Sequence, residues 1–111
     1  MKSETFGPLV NDEQAKTYYG FIYLVEVADK KYIGKKCFTK GVNWRNYKSS
    51  NDEIKKLLTI NPGKYKILAF ARTNRELTFL ETKYQFTMNV LEDDSFCNRN
   101  ILGKFFRDRL S

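Results

Sequence analysis

The chain has 111 residues, 41% of them hydrophobic and 15% aromatic, and a formal charge of +7. That length supports a single core, the aromatic content excludes a disordered tail, and no apolar run approaches the roughly 18 residues of a membrane helix. The positive charge favours a polyanionic partner, nucleic acid first, with plain solubility as the competing explanation.

Residues 1–16 mix polar groups with Gly7 and Pro8 and show no sustained period, so they read as a loosely held arm ahead of one domain over 17–111. From 17 to 27 the chain is rich in aromatic and β-branched residues. Ala28-Asp29-Lys30 interrupts that run before Lys31-Tyr32-Ile33-Gly34, which is the spacing of a β-hairpin. Alternation puts Phe21, Tyr23 and Val25 on one face of the first strand and Ile22 and Leu24 on the other. Apolar groups on both faces mark it as a central strand.

Residues 35–49 have little period and read as a loop. Ser50-Asn51-Asp52-Glu53 then has the form of a capping box, with Ile54, Leu57 and Leu58 as the inward face of a helix that ends at Asn61-Pro62-Gly63. A third strand is expected over 64–72. Thr73-Asn74-Arg75-Glu76 repeats the capping-box form and opens a helix reaching about Met88, with Leu77, Leu80, Tyr84 and Met88 inward. An acidic turn at Glu92-Asp93-Asp94, a short extended piece over 96–101 and a basic, aromatic tail over 104–110 complete the chain.

Glu81 lies four residues after Leu77 and three before Tyr84, inside the apolar stripe of the second helix. A carboxylate there is either an edge residue paired with a cation or a ligand for a hydrated divalent metal such as Mg²⁺. Tyr23 and Tyr32 on neighbouring strands are either ordinary cross-strand packing or proton-handling phenols. With no histidine in the chain, tyrosine, lysine or arginine, and glutamate remain to orient water and to stabilise charge at a phosphodiester. Lys35, Lys36 and Arg45 are either the candidate cations or a solvated basic surface, and Trp44, Tyr47 and Lys48 are placed to stack on or pack beside a nucleic-acid backbone, with Trp44 equally suited to cap the core. Asn98 and Asn100, on either side of Arg99, either make a turn or hydrogen-bond a phosphate. Cys37 and Cys97 lack further metal ligands at suitable spacing and read as reduced thiols of a cytoplasmic protein with no leader segment.

Taken in order, these elements resemble the GIY-YIG nuclease superfamily, in particular its short phage-type members similar to homing endonucleases. The name-giving motifs correspond to Gly20-Phe21-Ile22-Tyr23 and Tyr32-Ile33-Gly34. The likeness continues through Trp44-Arg45-Asn46-Tyr47-Lys48, Glu76-Leu77 with Glu81, and Asn98-Arg99-Asn100-Ile101. The resemblance implies an α+β fold, a small three-stranded antiparallel sheet flanked by helices. It implies a divalent-metal-dependent DNA endonuclease using Mg²⁺ or Mn²⁺, acting in the host cytoplasm if phage-encoded. Carried over by position, Tyr23 and Tyr32 lie at the active centre, Glu81 holds the metal, Arg45 steadies the phosphate and Asn98 or Asn100 closes the site. The short basic segment after Gly34 keeps a second reading open, a weakened nuclease fold that binds DNA or a protein partner; a homodimer is also compatible with the sequence.

Overall fold

The computed structural model describes residues 5–41 and 43–109. The first four residues of the expected arm and the final residue of the expected tail lie outside the described residues. β1 (Gly20–Val27) and β2 (Lys30–Cys37) form an antiparallel hairpin, and β3 (Gly63–Ala71) pairs antiparallel with the other edge of β1, giving the order β2-β1-β3. This is the α+β, three-stranded architecture that the sequence called for. β2 extends further than the four residues read from the motif, because Lys35, Lys36 and Cys37 keep register with Ile22, Phe21 and Gly20. An edge strand tolerates such polar residues, since one side of its ladder faces no partner strand.

β1 is apolar on both faces and is covered on both. Phe21, Tyr23 and Val25 pack with Phe6, Trp44 and Ile54, while Ile22 and Leu24 pack with Ile33, Leu77, Val90 and Ile101. α2 (Asp52–Leu58) contributes to the first layer through Ile54, and α3 (Asn74–Thr87) to the second through Leu77.

Three local features differ from the sequence reading. Residues 5–16 are not a loose arm: Phe6 has no exposed surface and meets the rings of Phe21, Tyr23 and Tyr65 at 4.5–5.1 Å. After a 3₁₀ turn (Gly7–Leu9), α1 (Asp12–Thr17) starts on a capping box in which Asn11 Oδ1 accepts from Gln14 N at 2.8 Å and Gln14 Oε1 accepts from Asn11 N at 3.0 Å. At α2 the cap is Asn51, whose Oδ1 accepts from Ile54 N at 2.9 Å, and Ser50 is released to bond elsewhere. Asn and Ser cap about equally well, so adjacent candidates are decided by the backbone and not by type. At α3 Thr73 caps as expected, but Glu76 reaches back one residue further, to Arg72 N at 2.8 Å.

The chain after α3 folds back along the free edge of β2. Lys31 N donates to Ser95 O and Cys97 N donates to Lys31 O, both at 2.7 Å, a single parallel bridge in place of a fourth strand. β4 (Asn100–Ile101) and β5 (Phe105–Phe106) then form a short hairpin whose turn residues Leu102 and Gly103 both have positive φ, 60° and 66°. Arg107, expected on a basic outer tail, instead turns inward. Its guanidinium donates to the carbonyls of Asn98, Val90, Asp93 and Phe96, tying 90–98 to the end of the chain.

Candidate functional site

A groove of about 590 Å³ runs beside the free edge of β2, with Tyr32 and the start of α2 on one wall and Glu81 and Gln85 of α3 on the other. Asn98, Arg99, Asn100, Leu102 and Gly103 form its outer rim. The groove exists because β2 is an edge strand and the layers above and below the sheet each bring one wall to that edge.

Within the groove, Tyr32 Oη meets Ser50 Oγ at 3.0 Å. Burial raises its phenol above the ordinary tyrosine value, the Ser50 bond opposes that, and the nearby Glu81 charge adds to it. Glu81 is half-buried, and burial likewise raises its carboxyl, with Lys35 pulling the other way. Lys35 is held close by donating from Nζ to Thr78 Oγ1 at 3.2 Å, one turn before Glu81 on α3.

Tyr23 lies beneath this pair, fully buried, with ring centroid 6.2 Å from that of Tyr32. Its Oη is 3.4 Å from both Tyr47 Oη and Ser49 Oγ. Burial, then the neighbouring Tyr47 and Tyr32 phenols, raise it well above the usual range, so it stays protonated throughout the neutral range. Register explains the paired motifs: Tyr23 stands directly opposite Gly34. A Cβ on Gly34 would lie 2.6 Å from Tyr23 Oη and 2.7 Å from the Tyr32 ring. Only glycine lets both rings lie across this point of β2.

Asn98 is almost fully buried and uses both ends of its amide on one residue. Its Oδ1 accepts from Ile33 N at 3.1 Å and its Nδ2 donates to Ile33 O at 2.9 Å, an acceptor that Gln85 Nε2 shares at 3.2 Å. Asn98 therefore holds the strand between Tyr32 and Gly34 in place, with its oxygen and its nitrogen both engaged by the Ile33 backbone. Asn100 is exposed on the rim, where its Oδ1 accepts from Gly103 N at 2.9 Å.

Several expected contact residues are elsewhere. Arg45 is on the far side of the loop, ion-paired with Asp12 and lying 4.4 Å over the Trp44 ring. Trp44 is only 5% exposed, packed edge-on against Phe38 at 5.5 Å, and presents no face for a base. Lys36 is 7% exposed, donates to Lys40 O and sits 4.8 Å over Tyr47, itself half-buried beside Phe6. Lys48 is exposed but borders a separate hollow with Lys55 and Asn61. Because Arg45→Ala removes an exposed ion pair and one stacking contact, it should cost about 1–2 kcal/mol of stability at most and leave turnover within about threefold of wild type. A turnover loss of two orders of magnitude would return Arg45 to the site.

Besides Ser50, Gln85 and Arg99 line the groove and went unassigned in the sequence. Gln85 is four residues after Glu81, on the same helical face, and that spacing marks it. Arg99 is exposed on the rim, pointing away from the buried Asn98 as alternation along an extended segment requires.

Three carboxylates, Asp52, Glu53 and Glu81, line the groove, and Asp52 is engaged by Lys55 at 3.4 Å. Among the described residues no three His, Cys, Asp or Glu side chains gather as a metal-holding group, and no helix is long and apolar enough to cross a membrane. A hard cation that keeps most of its water needs only one or two carboxylates, and the groove has room for a hydrated ion beside Glu81; the donor set fits that mode of binding and not a closed protein cage. Searches of curated proteins and of solved structures each gave no match. One family description, "Putative endonuclease segE, GIY-YIG domain", matches residues 4–101, from just before the buried Phe6 to the buried Ile101 of the hairpin. The match spans the sheet, both flanking helices and every residue of the groove up to Ile101, and the chain belongs to this GIY-YIG family.

Proposed function

We propose that the protein is a divalent-metal-dependent endonuclease that hydrolyses phosphodiester bonds of DNA in the groove beside β2. The observation that carries this reading is the convergence of Tyr32, Glu81 and Arg99 on one groove in a chain of net charge +7. Glu81 would hold Mg²⁺ or Mn²⁺, which when bound supplies positive charge at a non-bridging phosphate oxygen. Arg99 anchors the phosphate from the rim, and Lys35, a β2 residue held near Glu81 by its bond to Thr78, adds positive charge beside that carboxylate.

Tyr32 is the phenol placed to orient the attacking water. Its raised pKa keeps the proton on Oη near neutrality, so it starts as a hydrogen-bonding group steadied by Ser50 and not as a free phenolate. Tyr23, cut off from the groove by burial, buttresses Tyr32 from below. A second reading, a DNA-binding module with weakened chemistry, draws on the withdrawal of Arg45 into its pair with Asp12.

Incubation with supercoiled plasmid separates the two. Nicked or linear product should form with Mg²⁺ or Mn²⁺ and cease with chelator. Tyr32→Phe should slow cleavage by about 10²-fold, whereas Tyr23→Phe should act on stability more than on rate. Binding without cleavage under any divalent metal would favour the second reading, and equal turnover in wild type and Tyr32→Phe would remove the phenol from the mechanism.

A further inference from the structure

Leu102 breaks two local rules at once. It occupies the first central position of the turn Ile101 to Lys104 with φ of 60°, where asparagine, aspartate or glycine is favoured and a bulky aliphatic residue is an outlier. It is also 50% exposed, although nothing about the turn requires an apolar side chain. Strained positions that persist in a fold concentrate where they serve binding or catalysis.

Its location gives the strain a use. Leu102 lines the groove together with Tyr32 and Glu81, and on its other side it borders a hollow with Thr78 and Phe79 of α3, the latter 64% exposed. The tip is stiff: Lys104 N donates to Ile101 O at 3.1 Å, and Asn100 holds Gly103 N. Arg99 and Lys104, both exposed, flank it in the sequence. A rigid aliphatic tip between two cations suits a nucleic acid, whose phosphates the cations meet while the side chain enters between bases. An apolar protein partner would leave those cations facing nothing of opposite charge.

We propose that Leu102 is a wedge that inserts from the minor groove between stacked base pairs of duplex DNA, beside the phosphate held in the groove. The proposal rests on the endonuclease reading and adds to it a deformation step: the bound duplex is locally unstacked and unwound next to the scissile position. Apolar side chains that enter a base step in this way separate the bases and bend the helix. Preference among sequences then follows from how readily a step unstacks, with no base-edge hydrogen bond needed.

The test uses closed circular plasmid relaxed by a metal-independent topoisomerase in chelator, with full-length protein bound and then removed. Wild type should leave the plasmid with a lowered linking number. Leu102→Asn, which supplies the Asn-Gly pair this turn prefers, should raise the melting temperature and lose the linking shift, with DNA still bound through the phosphate contacts. Leu102→Met should keep the shift. A shift unchanged in Leu102→Asn, or binding by wild type with no shift, overturns the wedge and leaves the nuclease reading standing. Absence of DNA binding overturns both. A concentration-dependent dimer of the wild type that Leu102→Asn abolishes, with no linking shift in either, assigns the exposed leucine to a protein interface and overturns the wedge.

Discussion

Glu81→Gln is expected to reduce DNA cleavage by about 10³-fold or more, because the several kcal/mol of phosphate charge stabilisation supplied by the cation it is proposed to hold translate into rate at 1.36 kcal/mol per decade. The same substitution should stabilise the fold. Burial raises the Glu81 carboxyl, and Lys35 offsets this in part. A carboxyl whose folded pKa lies above its unfolded one binds its proton more tightly in the native state. Its favourable contribution is complete below the unfolded pKa and is lost as pH rises through the folded pKa. At neutral pH the ionised side chain is therefore a burden on the fold, and glutamine removes it. Melting curves should show the variant at or above wild type near pH 7, with the difference closing below about pH 4. Wild-type activity, which needs the ionised carboxylate, should decline on the acid side at a higher pH than the ordinary glutamate value of about 4.3. Wild-type turnover in Glu81→Gln, or a variant that melts well below wild type at pH 7, would contradict the assignment.

The second large effect is expected at Gly34. Alanine there brings a methyl group to 2.6 Å from Tyr23 Oη and 2.7 Å from the Tyr32 ring, and Tyr23 has no exposed surface into which to retreat. Overpacking of this kind costs about 1–3 kcal/mol, or roughly 5–15 °C in a domain of this size. Cleavage should fall further than stability, since displacing Tyr32 separates its oxygen from Ser50. A double-mutant cycle with Tyr23→Phe gives the diagnostic: deletion of the closest clashing atom should recover part of the lost stability, a coupling that independent sites do not show. A melting temperature unchanged in Gly34→Ala would mean that the rings do not lie across this residue in solution.

Much of this was legible in the sequence wherever a period ran long enough to fix a face. The β1–β2 hairpin, the two apolar faces of β1 and the inward Glu81 of α3 follow from alternation and from helical spacing, and the folded chain has each of them. The segment over 35–49 offered no such guide. Arg45, Trp44 and Lys36 carry the side-chain chemistry of a nucleic-acid surface, yet tertiary packing uses them internally, on Asp12, Phe38 and Lys40. Phe6 was hidden by its neighbours: one aromatic among polar residues gives no pattern, and only the finished sheet shows the space it fills. Asn98 was found by its place in the chain but not by its role, because a side-chain amide that satisfies both groups of a distant residue leaves no local trace.

Arg107 sets how the outer wall of the groove fails. One guanidinium gathers carbonyls from Val90, Asp93, Phe96 and Asn98, while among the described residues the backbone link from this wall to the sheet is the bridge at Lys31. A segment with few backbone hydrogen bonds to its sheet opens at a free energy below that of global unfolding, and here the buried Val90, Phe96 and Ile101 and the Asn98 clamp on Ile33 set the cost. Amide protons of Lys31 and Cys97 would then exchange together and ahead of those in β1, and during each opening Ile33 loses its Asn98 clamp. Loss of that clamp would free the strand between Tyr32 and Gly34, so the shape of the groove depends on hydrogen bonds made outside it.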